Sequence, residues 1–372
     1  MAADGVGPSQ TCASLLSAMA RGGLSGPLFV NRARAKRPGV SYQTALPGFL
    51  ASLPYKYVEA TATRRSELCF RRTLREGDIA YLWPHASLQA YHWARSLGVP
   101  IVGEGINSRM ASARAILDEA YDAEGLSPGH GITDARIAEE EEKLAMTDLF
   151  FAPSPGVESA LVGSQLPESA LLSTSYGVDL DRAPAPGPPP VRRNRPVFLF
   201  VGWGSVRKGL HLLLRGWVEA GIDAELWIAG QLEPALQERF APHLERDDVR
   251  TLGFVRDVDA LYSQADAFVL PSLEEGDPLV TYEAAARGLP IIATTMGGGR
   301  LGDAGHVRIV DPSDPASIAT ALRDFALDPE TRAQWAARST KGVLAFDWSD
   351  VGLRRAHMLA ERLGLELGEY AS

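Results

Sequence analysis

PSLEEGDPLVTYEAAARGLPIIAT, Pro271 to Thr294, holds two glutamates eight positions apart, Glu275 and Glu283. The preceding apolar run AFVLPS predicts a buried strand ending at Ser272, and LEEGD predicts a loop. Asp277 has the chemistry of an N-cap and Pro278 that of a first helical residue, so a helix is expected from there. A strand, a loop and a helix N-terminus in succession turn free backbone amides toward a ligand, and the helix dipole favours negative charge at that point. Glu275 would project from the loop, and Glu283 would lie roughly a turn and a half into the helix. Two carboxylates are poor ligands for a phosphate. They suit hydroxyl groups on either side of one.

A second strand-loop-helix lies upstream in PVFLFVGWGSVRKGLHLLLRGW, Pro196 to Trp217. VFLFVG reads as a strand and LHLLLRGW as a helix. Gly202, Gly204 and Gly209 permit tight turns and the close approach of a ligand. Arg207 and Lys208, at the head of the helix, can neutralise a diphosphate as it leaves. Between and after the two motifs, AELWIAG, VRTLGFV, PIIAT and HVRIVDP read as strands. LEPALQERFAPHL and VDALYSQA read as helices, and MGGGR as a glycine loop. Strands alternating with helices predict an α/β architecture whose parallel sheet is covered on both faces, with ligands at the C-terminal strand ends.

Glu275-x7-Glu283 followed by AAARGLPIIAT, with Lys208-Gly209 upstream, resembles the donor-site signature of retaining glycosyltransferases of family 4 (glycosyl transferases group 1). The likeness is good over residues 196–345 and weak before them. It implies the GT-B fold: two Rossmann-like domains with parallel sheets facing a central cleft. It also implies metal-independent transfer from a nucleotide diphosphate sugar, with no cofactor and with UDP or GDP the expected nucleotide. By the resemblance, Glu275 meets hydroxyls of the donor sugar, Glu283 the ribose, and backbone near Val255 the base. Arg207, Lys208 and the amides of Leu279 and Val280 would hold the diphosphate. The chain departs from the pattern at three places. Trp203 stands where many members have Arg, and Ile106 stands near the place of a common His. Gly276-Asp277-Pro278-Leu279 replaces Gly-Phe-Gly-Leu. Pro278 has no amide to donate, and Asp277 would accept a sugar hydroxyl or cap the helix.

A chain of 372 residues predicts two domains. The proline-rich stretch 182–195 reads as a linker. Residues 1–181 would form an acceptor-binding Rossmann-like domain and 196–345 a nucleotide-sugar-binding one, with a helix over 346–372 crossing back to the first. Tyr176-Gly177-Val178-Asp179 is similar to the family's entry into the second domain. In the first half, GPLFVN, GDIAYLWP, VPIVGEG and LFFAPS read as strands, and AEEEEKLAMTD as a helix. The chain begins with what looks like a loop and helix, so a first strand is expected to be absent, through a misassigned start, a truncated chain or a reduced domain. His85, Glu104 and Asn107 follow strands in this half and are the acceptor-side candidates.

Hydrophobic content of 45% and charged content of 22% are those of a globular protein. No apolar run reaches the roughly 20 residues that span a bilayer. Two cysteines without metal or redox spacing favour a reduced cytoplasm, and no Cys/His cluster suggests zinc. Residues 1–195 carry 20 Lys+Arg against 20 Asp+Glu, so the net charge of −9 falls entirely beyond them. Within 32–75 stand Arg32, Arg34, Lys36, Arg37, Lys56, Arg64, Arg65, Arg71, Arg72 and Arg75, opposed by Glu59 and Glu67. That segment could receive an anionic acceptor or an acidic membrane surface, giving peripheral membrane association. No aromatic interleaving or recognisable module supports nucleic-acid binding. The expected partners are a nucleotide-sugar donor and a carbohydrate, lipid-linked or small-molecule acceptor. The alternatives are a GT-B phosphorylase or epimerase, or a non-catalytic nucleotide-sugar-binding protein of the same fold.

Overall fold

The computed structural model describes residues 2–3, 8–33, 36–46, 55–181 and 195–367. The linker stretch 182–194 and Arg34 lie outside them. In the first half, β1 (Ala2–Ala3), β2 (Pro27–Val30), β3 (Arg32–Ala33) and β4 (Ser41–Thr44) form two short parallel pairs, β1 with β3 and β2 with β4. β5 (Ala80–Leu82), β6 (Ile101–Glu104), β7 (Leu149–Ala152) and β8 (Leu171–Ser173) follow as a four-stranded parallel sheet in that order. The expectation of a missing first strand is corrected: the helix Pro8–Arg21 is preceded by a strand, though of two residues only.

The second half contains β9 (Val197–Val201), β10 (Glu225–Ala229), β11 (Val249–Gly253), β12 (Ala267–Leu270), β13 (Ile291–Ala293) and β14 (Arg308–Ile309). Their spatial order is β11-β10-β9-β12-β13-β14, and every pairing is parallel. All residues of β9 and β12 are buried, which is why VFLFV and AFVL are continuous apolar runs without alternation. The chain winds outward from β9 to β11, then returns to lay β12 on the other side of β9. Connections after β9 and β12 therefore leave the sheet in opposite directions. The crevice between them is the topological switch point, where such sheets bind ligands. Both motifs leave the sheet at this point.

Two elements differ from expectation. LEPALQERFAPHL forms two short helices, Pro234–Arg239 and Ala241–Leu244, with Phe240 between them at φ −107 and ψ 18. Pro242 lacks the amide a continuous helix needs there and would crowd the carbonyl one turn back. MGGGR belongs to a helix, Thr295–Asp303, kinked at Gly299. The Thr294 side chain caps it by accepting from the Gly297 amide at 3.0 Å. A Cβ on Gly297 would lie 1.9 Å from the Leu270 carbonyl oxygen. Close packing, and not flexibility, explains glycine here.

Two strands of chain join the halves. Val178 donates to the Phe346 carbonyl at 2.9 Å, and Trp348 donates back to Val178 at 3.1 Å. The last helix, Trp348–Leu363, then packs along Pro8–Arg21, where a Cβ on Gly352 would meet Ala18 Cβ at 2.2 Å. Among the described residues no helix is long and apolar enough to cross a membrane. The basic segment 32–75 is not one surface. Arg32 is buried and Arg37 pairs with Asp179 at 3.7 Å.

Candidate active site

The loop after β9 is held by its glycines. Gly202 (φ 146) and Gly209 (φ 67) adopt backbone conformations that side chains oppose. Gly204 donates to Gln231 at 2.8 Å, laying this loop beside the one after β10. The loop ends at the helix Leu210–Ala220. Just before that helix, the Arg207 carbonyl accepts from the Leu273 amide at 2.9 Å, and the two motif loops thereby share a backbone bond.

That bond puts cations and carboxylates together. Lys208 forms an ion pair with Glu275, whose Oε1 also accepts from Ser272 Oγ at 3.2 Å. Arg207 Nη1 lies 2.9 Å from Glu274 and 3.9 Å from Glu275. Burial alone would push the Glu275 carboxyl up, but Lys208 and Arg207 outweigh it and hold Glu275 below the ordinary carboxylate range. Burial likewise opposes the charge on Arg207, and the two glutamates more than restore it. Two cations and two carboxylates therefore meet at the switch point, with both carboxylates buried.

Glu274 carried no signal of its own in the sequence beyond its adjacency to Glu275. Its Oε1 accepts from the Ser108 amide at 2.8 Å, so it ties the loop after β12 to the other half of the molecule. Asp277 is corrected as an N-cap. The helix runs Leu279–Ala286 with Pro278 at its cap position and no side-chain cap bond. Asp277 is buried instead, accepting from Tyr176 N at 2.7 Å, Tyr282 OH at 2.6 Å and Arg300 N at 3.0 Å. Burial pushes its carboxyl up to about 6 against the pull of these donors. Three of its roughly four acceptor positions are filled within the protein, and the side chain is buried and not among the groups that line the cleft. Glu283 is half-buried, accepts from Tyr262 OH at 3.1 Å, and is raised by burial. Leu279 and Val280 occupy the first helical turn, where amides have no intrahelical acceptor. Val255 follows β11 on a loop whose Phe254 is 76% exposed.

Residues 195–328 match the family model described as Glycosyl transferases group 1. The whole fold superimposes on sucrose-phosphate synthase from Thermosynechococcus elongatus with a TM-score of 0.72, at 18% identity over 96% of this chain and 94% of that one. It also matches Anabaena Alr3699/HepE in complex with UDP-glucose, with a TM-score of 0.66 at 15% identity over 96% of each chain. Residues 195–328 are a group 1 glycosyl transferase domain, and the fold is GT-B. By sequence, this GT-B chain is 30% identical over 244 residues to D-inositol 3-phosphate glycosyltransferase 2 of Catenulispora acidiphila, covering 58% of this chain and 56% of that protein. It is 37% identical over 133 residues to a glycogen synthase of Mycobacterium tuberculosis, covering 34% of this chain and 29% of that one. The chain thus spans little more than half of the first relative and under a third of the second.

Between the two halves of the GT-B fold lies a cleft of about 850 Å³. One wall carries His85 and Asn107; Trp203, Arg207 and Glu274 close the other. His85 sits on the turn before Ser87, the cap of the helix Leu88–Ser96, and is not itself the helix start. Loss of surrounding water, and then Lys143 and Arg136, hold its ring below the ordinary histidine value. Asn107 is exposed. Glu104 is corrected as a free acceptor ligand. Its side chain is fully buried, both oxygens bond Arg355, at 2.8 and 3.3 Å, and Tyr81 donates to it as well. Arg300, read in the sequence as part of a turn, bridges the halves by donating to the Thr174 carbonyl at 2.9 Å and pairing with Glu158.

Proposed function

We propose that this protein is a retaining glycosyltransferase that moves a sugar from a nucleotide diphosphate sugar, UDP- or GDP-linked, to an acceptor hydroxyl in the cleft. The convergence of Lys208, Arg207 and Glu275 at the switch point carries the reading. An incoming diphosphate takes Lys208 and Arg207 in exchange for Glu275 and Glu274. The amides of Leu279 and Val280 complete the anion site at the helix N-terminus, and Pro278 contributes none. Glu275, released, accepts hydroxyls of the donor sugar. Glu283 meets the ribose and backbone at Val255 the base.

In the transfer the bond from the anomeric carbon to the diphosphate oxygen breaks, and the bond to the acceptor oxygen forms on the same face. A phosphate oxygen of the departing diphosphate takes the acceptor proton, so no side-chain base is required. Arg207 and Lys208 stabilise the charge as it develops on that diphosphate. His85 and Asn107 position the acceptor.

Thermal unfolding with UDP, GDP, ADP and dTDP tests this. A ligand at a hundred times its Kd stabilises the folded state by about 2.7 kcal/mol, so one nucleotide should raise the melting temperature clearly, and the matching sugar panel should then show transfer. No shift with any nucleotide, together with sugar 1-phosphate release from an oligosaccharide by free phosphate, would make the protein a phosphorylase instead.

A further inference from the structure

We propose that the outward face of the helix Tyr55–Thr73 docks on an anionic lipid bilayer surface. The helix is pinned by its inner side, where Val58 and Ala62 are buried. Tyr57, Arg64, Arg65, Leu68 and Arg72 are exposed. Their spacing, with steps of seven, one, three and four, returns to one flank of the helix, an arc of about 100° beside the line of Val58 and Ala62. Tyr57 is 73% and Leu68 50% exposed. Among the described residues no carboxylate pairs with Arg64, Arg65 or Arg72. The two acids of the helix lie off this face. Glu59 is set about half a turn round from Tyr57, and Glu67 turns inward, with Oε1 buried.

The remaining basic residues of the segment sharpen the assignment. Arg32 is buried and Arg37 is paired with Asp179, so neither adds to an open surface. Arg71 lies over the Trp93 ring at 4.8 Å and fixes this helix to Leu88–Ser96. Ser87 and Tyr91, at the start of that second helix, line the cleft. The arginine face is thus one helix removed from the acceptor wall. It is a local concentration of positive charge on a chain whose net charge is −9.

An array of arginines attracts phosphate groups of either a bilayer or a nucleic acid. Leu68 separates the two. It stands at the centre of the face, between Arg64 and Arg72, where an aliphatic side chain gains only from an apolar medium. The boundary between headgroups and acyl chains provides one, and Tyr57 suits the same depth. The proposal does not depend on the reaction in the cleft.

Flotation with sealed vesicles decides it. Phosphatidylcholine vesicles carrying about 30 mol% phosphatidylglycerol should retain the protein and phosphatidylcholine alone should not. Raising the salt from about 0.1 M to about 0.5 M should release it. The double variant Arg64→Glu/Arg72→Glu should partition at least about tenfold less with an unchanged melting temperature; if it unfolds, Arg64→Gln/Arg72→Gln takes its place. Leu68→Ser should weaken retention by about threefold or more without altering its salt dependence. Equal retention by neutral vesicles, no retention by anionic ones, or a charge variant that partitions like the parent overturns the proposal. A single-stranded oligonucleotide that binds as tightly as the anionic vesicles, with Leu68→Ser affecting neither, would overturn it in favour of nucleic acid.

Discussion

Lys208 and Glu275 hold each other in a site with little water to screen them. That sets up an unequal response to removing either one. Glu275→Ala deletes the group proposed to grip the donor sugar, yet frees Lys208 for the diphosphate. Transfer should fall by about a hundredfold or more, while affinity for the bare nucleotide stays level or rises. Calorimetric titration beside a transfer assay reads both quantities, and equal losses in the two would remove Glu275 from the sugar. The residues of this pair were legible because each sits in a short motif: Lys208 before a glycine and a helix, Glu275 eight positions from Glu283. Glu274 was not, because its meaning comes from Ser108, 166 positions away. Glu104 misled for the same reason. At the end of a strand an acid reads as a cleft residue, and Arg355, which claims it, is 251 positions distant.

At the scale of elements, the site depends on how closely one strand-loop-helix unit lies on the next. Gly209 is where β9's loop meets β12's: a Cβ there would stand 1.8 Å from the Pro271 carbonyl oxygen, on a residue already at φ 67. Gly221, at the far end of the same helix, has nearly the same backbone (φ 58) but nothing within 4 Å of its Cβ position. The two positions separate strain from collision. Gly221→Ala should cost about 1 kcal/mol, the strain of a left-handed backbone alone. Gly209→Ala must also push the loops apart and should cost about 3 kcal/mol or more. Urea unfolding of both variants measures this, and similar losses would mean that the loops separate freely. The alternation of strands and helices was readable because β9, β10, β12 and β13 are short, buried, mostly apolar runs bounded by polar turns, and the edge strands β11 and β14, largely exposed, were placed by their position in that alternation. The glycines of the Thr295–Asp303 helix were misread as a loop because composition does not distinguish a glycine that permits bending from one that permits contact.

For the molecule as a whole, the last helix belongs by chain to the second half and by packing to the first. Arg355 is its anchor. The guanidinium is fully buried, bonds both oxygens of Glu104, donates to Ser175 O at 3.0 Å and Thr174 Oγ1 at 3.1 Å, and lies 4.6 Å from the Phe151 ring. Removing one partner of such a pair leaves a buried charge uncompensated, which typically costs about 3–5 kcal/mol, whereas removing both costs far less. Arg355→Met should therefore be strongly destabilising, and Arg355→Met/Glu104→Gln should recover all but about 1–2 kcal/mol of the loss. The damage should also be local. The hydrogen bonds of the network join the helix to β6 and to residues 174–175, and none reaches β9 to β14; the core around those strands meets it only through Tyr176, whose ring lies 5.5 Å from the guanidinium. Scanning calorimetry of Arg355→Met should show the first half unfolding at a lower temperature than the second, where the parent unfolds in closer step. A single transition displaced as a whole would mean that the polar seam of Ser108, Asp277 and Arg300 couples the halves more strongly than the crossing helix does.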